Sequence, residues 1–428
     1  MKQIRSGQSF LYRKGGYNST VLEIRMKDPV TANHLEIAVG GAAKRFPYLT
    51  DKLVEKDGRY YLHPDHNGFN AHFSKKLRPL GSMATGYHLL DVTYTGNLIR
   101  VAFHHGLCDG RGVQPFVETL LYLYCREKYR CDFDRTGIRL PGEPIGPLET
   151  AEPFGKDPFP VAPDFQPPAR TEGYPLPEST PDPAGCWMTE FLLDETSFVK
   201  AAKAVGATPS IYASILLAEA VLDVHPYAGQ PVVCNLAMDL RSAIGMDETH
   251  CNCVGSAQLP FTPESLRDLP ALSARCRQIL KEWKQPDAVK SVLNAQIQLF
   301  NRLDEMKTLE ERRQALSFFD RMVSNSFVIS YLGGLRLNDY ADKVESACFY
   351  SDTIKGMTLN ILAAAGKMTF TLLQGFPGGE YAEALEKRLE GNGLLQVSGK
   401  GTVVTGRDMS YKTASRQAER WYAKTESK

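Results

Sequence analysis

The sequence predicts an α/β (α+β) fold, and three observations support this class. Patterns typical of strands and of amphipathic helices alternate along most of the chain. The 428 residues are more than one typical core accommodates, so two subdomains are expected. A proline-rich segment divides the chain, which predicts an N-terminal subdomain at 1–140, a crossover linker at 141–184 and a C-terminal subdomain at 185–428.

In the N-terminal subdomain, each predicted element follows from the spacing of apolar residues. The turn residues Asp57-Gly58 indicate a hairpin between 53–55 and 60–62. Pro47 is expected to end the first long helix. The remaining elements are a strand at 18–26, that helix at 31–46, a strand at 98–103 and a helix at about 113–129.

The linker stands out by its prolines. Thirteen of the 26 prolines lie between Pro141 and Pro183. Proline lacks the backbone N–H and restricts the residue before it, so this segment is expected to be an extended connection or a strap across one surface.

The C-terminal subdomain mixes strands and helices in the same way. Pro209 stands where a helix is expected to begin. Predicted strands lie at 187–193, 231–240 and 327–331, with two more within 358–373; predicted helices lie at 197–205, 210–224, 380–389 and 410–423, and a long helical stretch at about 265–323 is interrupted near Pro286 and Lys307.

Charge and composition exclude several classes of function. Lys and Arg total 50 against 49 Asp and Glu, and no basic block is evident, which argues against nucleic acid or an anionic membrane surface as a partner. No apolar run is long enough to span a membrane. The first nine residues lack the apolar stretch of a secretory signal, so a cytoplasmic location with reduced cysteines is expected.

The most informative segment is His104-His105-Gly106-Leu107-Cys108-Asp109-Gly110, between the strand at 98–103 and the helix that follows. Histidine exchanges protons near neutral pH. Adjacent residues at a strand end point to opposite sides, so one histidine can face a cleft while the other packs inward. Asp109 can brace the loop through a buried ion pair. These residue types predict acid–base catalysis at this loop.

This segment resembles the HHxxxDG motif of the chloramphenicol acetyltransferase-like superfamily, which includes carrier-dependent condensation domains and alcohol O-acetyltransferases. Three weaker segments resemble the same family: 35–49 (LEIAVGGAAKRFPYL), 237–241 (AMDLR) and 329–334 (ISYLGG). The resemblance covers most of the chain. It implies two pseudo-equivalent mixed-sheet subdomains with the active-site cleft between them.

The resemblance also implies an acyltransferase mechanism. His105 would be the general base that deprotonates a hydroxyl or amine of a small-molecule acceptor, and the acceptor would attack a thioester directly, without an acyl-enzyme. The co-substrate would be acyl-CoA or the phosphopantetheine arm of an acyl carrier protein, with no bound cofactor or metal.

The resemblance further gives roles to the neighbouring residues. His104 completes the motif, Asp109 is structural with Arg241 as its partner, and Gly110 permits a tight turn. Candidates for binding the substrate or the oxyanion lie on the late strand; Tyr331 stands where many relatives carry Asn, and the other two are Ser330 and Gly333.

Other interpretations stay open. Cys108 beside His105 could be a nucleophile, although a small buried cysteine is commoner. The segment 250–253 (HCNC) suggests a metal site, but a second ligand pair is missing, which favours ordinary packing. For the whole chain, the alternatives are a carrier-dependent condensation-type enzyme and a non-catalytic binding protein that kept the fold.

Overall fold

The structure of the protein is a computed structural model, which describes residues 1–13, 19–65, 68–176, 186–319, 325–351, 356–376, 378–398 and 402–404. The end of the predicted linker, from residue 177, and the predicted helix at 410–423 lie outside the described residues. The division of the chain into subdomains at 140 and 185 stays a prediction.

The described residues of the first part of the chain form three helices and strands of two sheets. Its elements are β1 (Lys2–Gln3), α1 (Gln8–Tyr12), β2 (Ser19–Met26), α2 (Ala32–Arg45), β3 (Lys52–Lys56), β4 (Arg59–His63), β5 (Ala71–Phe73), β6 (Leu90–Thr95), β7 (Leu98–His104) and α3 (Gly110–Tyr129). Strands β1, β4 and β3 form a small sheet, in that order. Strands β2, β7, β6 and β5 belong to a mixed sheet of five strands, whose remaining edge strand comes from later in the chain.

Local chemistry explains these boundaries. Asp57 and Gly58 have φ values of 51° and 69°, the left-handed conformation that a tight hairpin between β3 and β4 requires. Helix α2 ends immediately before Phe46 and Pro47, because proline lacks the N–H that would continue it. Helix α3 begins earlier than the apolar spacing predicts, because the Asp109 side chain caps it by accepting a hydrogen bond from the Gly112 N–H.

The second part of the chain forms the larger sheet. Its elements are β8 (Cys186–Asp194), α4 (Glu195–Ala204), α5 (Pro209–Val224), β9 (Val232–Asp239), β10 (Val254–Phe261), α6 (Leu269–Trp283), α7 (Pro286–Glu305), α8 (Leu309–Phe319), β11 (Phe327–Gly334), β12 (Val344–Ser351), β13 (Met357–Ala364), β14 (Lys367–Gln374), α9 (Glu380–Gly391), β15 (Leu395–Ser398) and β16 (Thr402–Val404). Seven strands run in the order β10-β9-β11-β13-β14-β8-β15, and β16 also pairs with β8. Strand β11 is parallel to both β9 and β13, while the other pairs of this sheet are antiparallel.

One strand links the two parts. Strand β12 lies between β11 and β13 in sequence but pairs antiparallel with β2, so that Ser351 lies opposite Thr20 and Phe349 opposite Leu22. The five-stranded sheet therefore has the order β12-β2-β7-β6-β5. This pairing places β12 beside β2, one strand away from the histidine-bearing strand β7.

The proline-rich segment is a strap held by specific contacts. Glu149 forms a bidentate ion pair with Arg45, at 2.9 and 2.8 Å, and accepts a hydrogen bond from the Tyr48 hydroxyl at 2.9 Å. Burial opposes ionisation, but hydrogen bonds from Arg45, Gly146 and Tyr48 lower the pKa of Glu149 to about 2. Further along, the backbone of Phe159 exchanges two hydrogen bonds with the Asn294 amide of α7. The strap therefore connects α2 in the first part of the chain to α7 in the second.

The mixed strands and helices confirm the predicted α/β (α+β) class. Two apolar cores lie on either side of the larger sheet: one joins it to the five-stranded sheet, and the other packs it against α5 and α9. Among the described residues, no single helix is long and apolar enough to cross a membrane; only α4 and α5 taken together reach that length, and they are bent by 82°.

Candidate active site

Strand β7 ends at His104, and the two adjacent histidines lie in different environments. His104, its last residue, is fully buried, and its Nδ1 accepts a hydrogen bond from the Gly106 N–H at 2.8 Å. Burial, followed by the neighbouring His105, lowers the pKa of His104 to about 3. His104 is therefore a neutral, structural imidazole that holds the turn after β7.

His105 faces a cavity. Its Nε2 lies 3.4 Å from the Thr20 hydroxyl of β2, and its ring packs against Phe10 and Phe103, with centroids 4.8 and 5.8 Å away. Burial lowers the pKa of His105, against the opposing effects of Asp109 and the Cys108 backbone. The imidazole is therefore neutral at pH 7, which is the form able to accept a proton.

The His105 backbone is held by Gly7, the residue that precedes α1. Gly7 has a φ of 70°, and a Cβ atom there would lie 1.9 Å from the His105 carbonyl oxygen. Only glycine combines this conformation with so close an approach. The N-terminal segment thus packs directly on the loop that carries His105 and brings Phe10 to the imidazole.

Asp109 and Arg241 form a buried ion pair across the two parts of the chain. The Arg241 Nη2 lies 2.7 Å from Asp109 Oδ1, and both side chains are 1 % exposed. Asp109 also accepts hydrogen bonds from the backbone N–H groups of Gly112 and Cys253. Arg241 donates further hydrogen bonds to the carbonyl oxygens of Thr249 and Cys251. Because Asp109 belongs to the loop after His105, its bonds to Arg241 and Cys253 fix that loop against the larger sheet.

Gly110 is required for packing. It is the first residue of α3, and its φ is not in the left-handed region. A Cβ atom at Gly110 would lie 2.6 Å from the Leu332 side chain of β11. Leu332 reaches this position because a bulge interrupts the pairing of β11 with β13 between Tyr331 and Gly333. The close approach of α3 to β11 therefore accounts for the glycine, in place of the tight turn expected from the sequence.

The cavity at His105 has a volume of about 490 Å³ and lies between the two sheets. One wall is polar and is built from the strand residues Thr20, Ser330, Ser351, Thr358 and Asn360. Part of the lining, the apolar wall, comes from the strap and the helices α7 and α8 and comprises Phe154, Leu299, Phe300 and Leu316. A volume of this size and a few polar groups among apolar ones are typical of small-molecule sites.

Only some of the predicted site residues lie together around the cavity. His105, Asp109, Gly110, Ser330 and Tyr331 line the cavity. The Tyr331 ring also packs against the core on the far side of the larger sheet. Neither His104 nor Gly333 is part of the cavity wall.

Several cavity residues were missed in the sequence. Thr20 sits in a correctly predicted strand, but nothing in its surroundings marks it. Asn360 did carry a signal, since it is the one amide in β13 and is followed by the apolar residues 361–364. Phe10 and Phe154 belong to segments without apolar periodicity, so their place beside the cavity is visible only in the folded chain.

Cys108 and the segment 250–253, for which the sequence left a nucleophile or a metal site open, are packed in the interior. Burial raises the pKa of the Cys108 thiol well above its usual value, so this cysteine is protonated at neutral pH and a poor nucleophile. The Nδ1–H of His250 donates to the Glu149 carbonyl oxygen at 2.7 Å, and the Cys253 N–H is bonded to Asp109. In the part of the chain that the structure describes, no three His, Cys, Asp or Glu side chains are grouped as metal ligands.

Comparison with solved structures identifies the fold. TRI101 of F. sporotrichioides, complexed with coenzyme A and T-2, has a TM-score of 0.58 at 14% identity, covering 92% of this chain and 98% of that chain. The trichothecene 15-O-acetyltransferase TRI3 from Fusarium sporotrichioides has a TM-score of 0.59 at 12% identity, covering 91% and 94%. The epimerization domain from the third module of tyrocidine synthetase B has a TM-score of 0.55 at 14% identity, covering 89% and 92%.

The chain therefore has the chloramphenicol acetyltransferase-like fold, which confirms the expectation from the HHxxxDG-like segment. The likeness extends over nearly the full length of each compared structure. No protein-family model matches the chain, and no curated protein sequence matches it.

Proposed function

We propose that this protein is an acyltransferase that moves an acyl group from acyl-CoA to a hydroxyl or amine of a small-molecule acceptor. The observation that carries the proposal is the position of His105, whose neutral imidazole lines a cavity of about 490 Å³ between the two sheets. Its Nε2 is directed to the Thr20 hydroxyl at 3.4 Å, which marks where an acceptor hydroxyl or amine would approach.

The proposed reaction uses His105 as a general base. Nε2 takes the proton from the acceptor, whose oxygen or nitrogen bonds to the thioester carbonyl carbon while the carbonyl π electrons move to the carbonyl oxygen. As the C=O bond reforms, the C–S bond breaks, and the departing thiolate takes the proton from His105. The products are the acylated acceptor and the free thiol, and no bond to the enzyme is needed.

The loop around His105 is preorganised for this role. The Asp109–Arg241 ion pair and the contact of Gly7 with the His105 carbonyl hold the base in place. Ser330 is the β11 candidate for binding the substrate or the oxyanion, since it lies on the polar wall of the same cavity. Gly333 and the Tyr331 hydroxyl are less suited, because Gly333 is not part of the wall and the Tyr331 ring packs in part against the second core.

The class of donor is supported by the compared proteins. TRI101 was solved with coenzyme A, and TRI3 is named an acetyltransferase. The apolar wall of the cavity adds that the acyl group or the acceptor carries an uncharged apolar portion, which would lie against Phe154, Phe300 and Leu316.

The proposal is tested by measuring thiol release from a panel of acyl-CoA esters with a panel of alcohols and amines. His105→Ala is expected to lower kcat by at least about 100-fold, as loss of a general base does, while the circular dichroism spectrum and Tm stay close to the wild-type values. His72→Ala, at an exposed position, is the matched control and is expected to remain active.

Each other outcome of this assay has a clear meaning. Full activity of His105→Ala contradicts the mechanism. If turnover occurs only with an acyl-loaded carrier protein, the acyl donor is a phosphopantetheine arm and not CoA. Absence of turnover with both donors leaves a non-catalytic binding protein that kept the fold.

A further inference from the structure

The strand β13 places one amide side chain in the cavity wall. Asn360 is 4 % exposed, lines the cavity that contains His105, and its Nδ2 has no hydrogen-bond partner. Its neighbours Leu359, Ile361 and Leu362 in β13 are apolar and buried, while Thr358 is half-buried and lies on the same cavity wall. An unpaired buried donor destabilises the folded state, because it has lost its hydrogen bonds to water without replacement.

The register of the sheet fixes where this amide points. Asn360 pairs with Ser330 of β11 on one side and with Thr371 of β14 on the other. Since directly paired residues share a face of a sheet, these three side chains form a polar row on the face that meets the five-stranded sheet. Asn360 therefore approaches the cavity from the sheet opposite the one that delivers His105.

Thr371 provides a comparison within the same row. It is fully buried and its Oγ1 also lacks a hydrogen-bond partner, but it does not line the cavity. Asn360 and Thr371 thus share strand geometry, burial and an unpaired polar atom. They differ in that Asn360, and not Thr371, is part of the cavity wall.

We propose that the Asn360 side-chain amide donates a hydrogen bond to the substrate carbonyl oxygen in the cavity. This inference rests on the proposed acyltransferase function and assigns a specific donor within it. His105 takes the proton of the attacking group from one sheet, and Asn360 stabilises the charge that develops on the carbonyl oxygen from the other. An uncharged amide suits this role, because its desolvation costs less than that of a cation and its geometry is fixed by the strand.

The experiment compares Asn360→Leu with Thr371→Val, each of which replaces the polar group by an apolar one of similar size. Both variants are expected to raise Tm, because each removes an unpaired buried polar group. Asn360→Leu is expected to lower kcat for thiol release by about 100-fold or more, with KM changed less than kcat. Thr371→Val is expected to keep wild-type kcat.

A gain in stability combined with a loss of activity is the signature that a purely structural residue does not produce. If Asn360→Leu retains kcat within about threefold of the wild type, or if Thr371→Val loses as much activity as Asn360→Leu, the assignment of Asn360 is wrong. Asn360→Asp removes the donor while keeping the shape, and is expected to lose kcat to the same extent; it decides the question if the leucine variant does not fold.

The failure of the proposed function is distinguishable from the failure of this assignment. A wild-type protein that releases thiol, with His105→Ala inactive and Asn360→Leu fully active, overturns the role of Asn360 alone. A wild-type protein that releases no thiol from any acyl-CoA or acyl-carrier substrate overturns both.

Discussion

At the scale of single residues, the two adjacent histidines differ in what surrounds each ring. His104 is enclosed and bonded to its own turn, and its pKa of about 3 keeps it neutral over the whole range in which proteins are usually assayed. His105 is packed between Phe10 and Phe103 but reaches the cavity through Nε2. Only the second ring can exchange a proton with a bound molecule.

The lowered pKa of His105 predicts the pH dependence of the proposed reaction. Burial disfavours the imidazolium, so the neutral base predominates down to a pH below 6.5, the ordinary histidine value. The value of kcat/KM for thiol release is therefore expected to rise with pH through a midpoint below 6.5 and to level off above it.

A variant tests independently whether burial lowers the pKa of His105. Phe10→Ala uncovers one face of the His105 ring, which should reduce the desolvation and move the midpoint upward toward 6.5. A wild-type midpoint above 6.5, or a downward movement in Phe10→Ala, would show that burial does not control this imidazole.

At the scale of secondary-structure elements, the cavity is closed by parts of the chain that are far apart in sequence. The strap supplies Phe154, α7 supplies Leu299 and Phe300, and α8 supplies Leu316. These residues form the apolar wall of the cavity. The choice of substrate is therefore expected to depend on the helices, and the chemistry on the strands.

If the helices select the substrate, a larger side chain in the apolar wall should change substrate preference. Leu316 is 2 % exposed, and Leu316→Trp places a larger ring into the cavity. The KM for substrates with long apolar groups is expected to rise by at least about tenfold, with a smaller change for an acetyl donor and a small acceptor.

The matched control is Leu148→Trp, which makes the same change at a strap position that is 43 % exposed and outside the cavity. It is expected to leave all KM values unchanged. Equal effects of the two variants, or equal effects on long and short substrates, would contradict an apolar wall that selects the substrate.

Most of the regular elements were predictable because their signals are local. The hairpin at Asp57-Gly58, the helix α5 after Thr208 and the breaks before α7 and α8 follow from turn, cap and proline chemistry. Strand β10 was missed because Gly255 and Pro260 interrupt it, and these residues are tolerated at the edge of a sheet. Strand β12 was missed because its pattern depends on a partner, β2, far away in sequence.

The candidate site was predictable to a smaller extent. The sequence predicted His105 and the Asp109–Arg241 pair through the motif and its resemblance, and the structure places Asp109 and Arg241 2.7 Å apart. Thr20, Phe10 and Phe154 reach the cavity through tertiary contacts that no local spacing encodes. Their roles, like that of His105 as a base, remain for the proposed experiments to establish.

At the scale of the whole molecule, the Asp109–Arg241 pair joins the two parts of the chain in the interior. A buried ion pair is costly to break by removing one partner, because the other charge is then left without compensation. Arg241→Met is therefore expected to lower the free energy of unfolding by about 3–5 kcal/mol. Denaturant unfolding followed by circular dichroism measures this change.

A double-mutant cycle separates the pair from its surroundings. The double variant Asp109→Asn with Arg241→Met is expected to lose less stability than the two single variants together. Arg388→Met removes an ion pair with Asp223 whose side chains are 35 % and 43 % exposed, and should cost less than about 1 kcal/mol. Additive effects at Asp109 and Arg241 would exclude a coupled pair.

The exchange of β12 also determines when the five-stranded sheet can be completed during synthesis. Strand β2 ends at Met26, whereas its partner β12 begins at Val344. At a translation rate of roughly 5–20 residues per second, the edge of β2 waits on the order of 15–65 s for that partner. An open strand edge is a site of unwanted pairing between chains. A ribosome that stalls before β12 therefore leaves a nascent chain whose histidine-bearing sheet is exposed along its β2 edge.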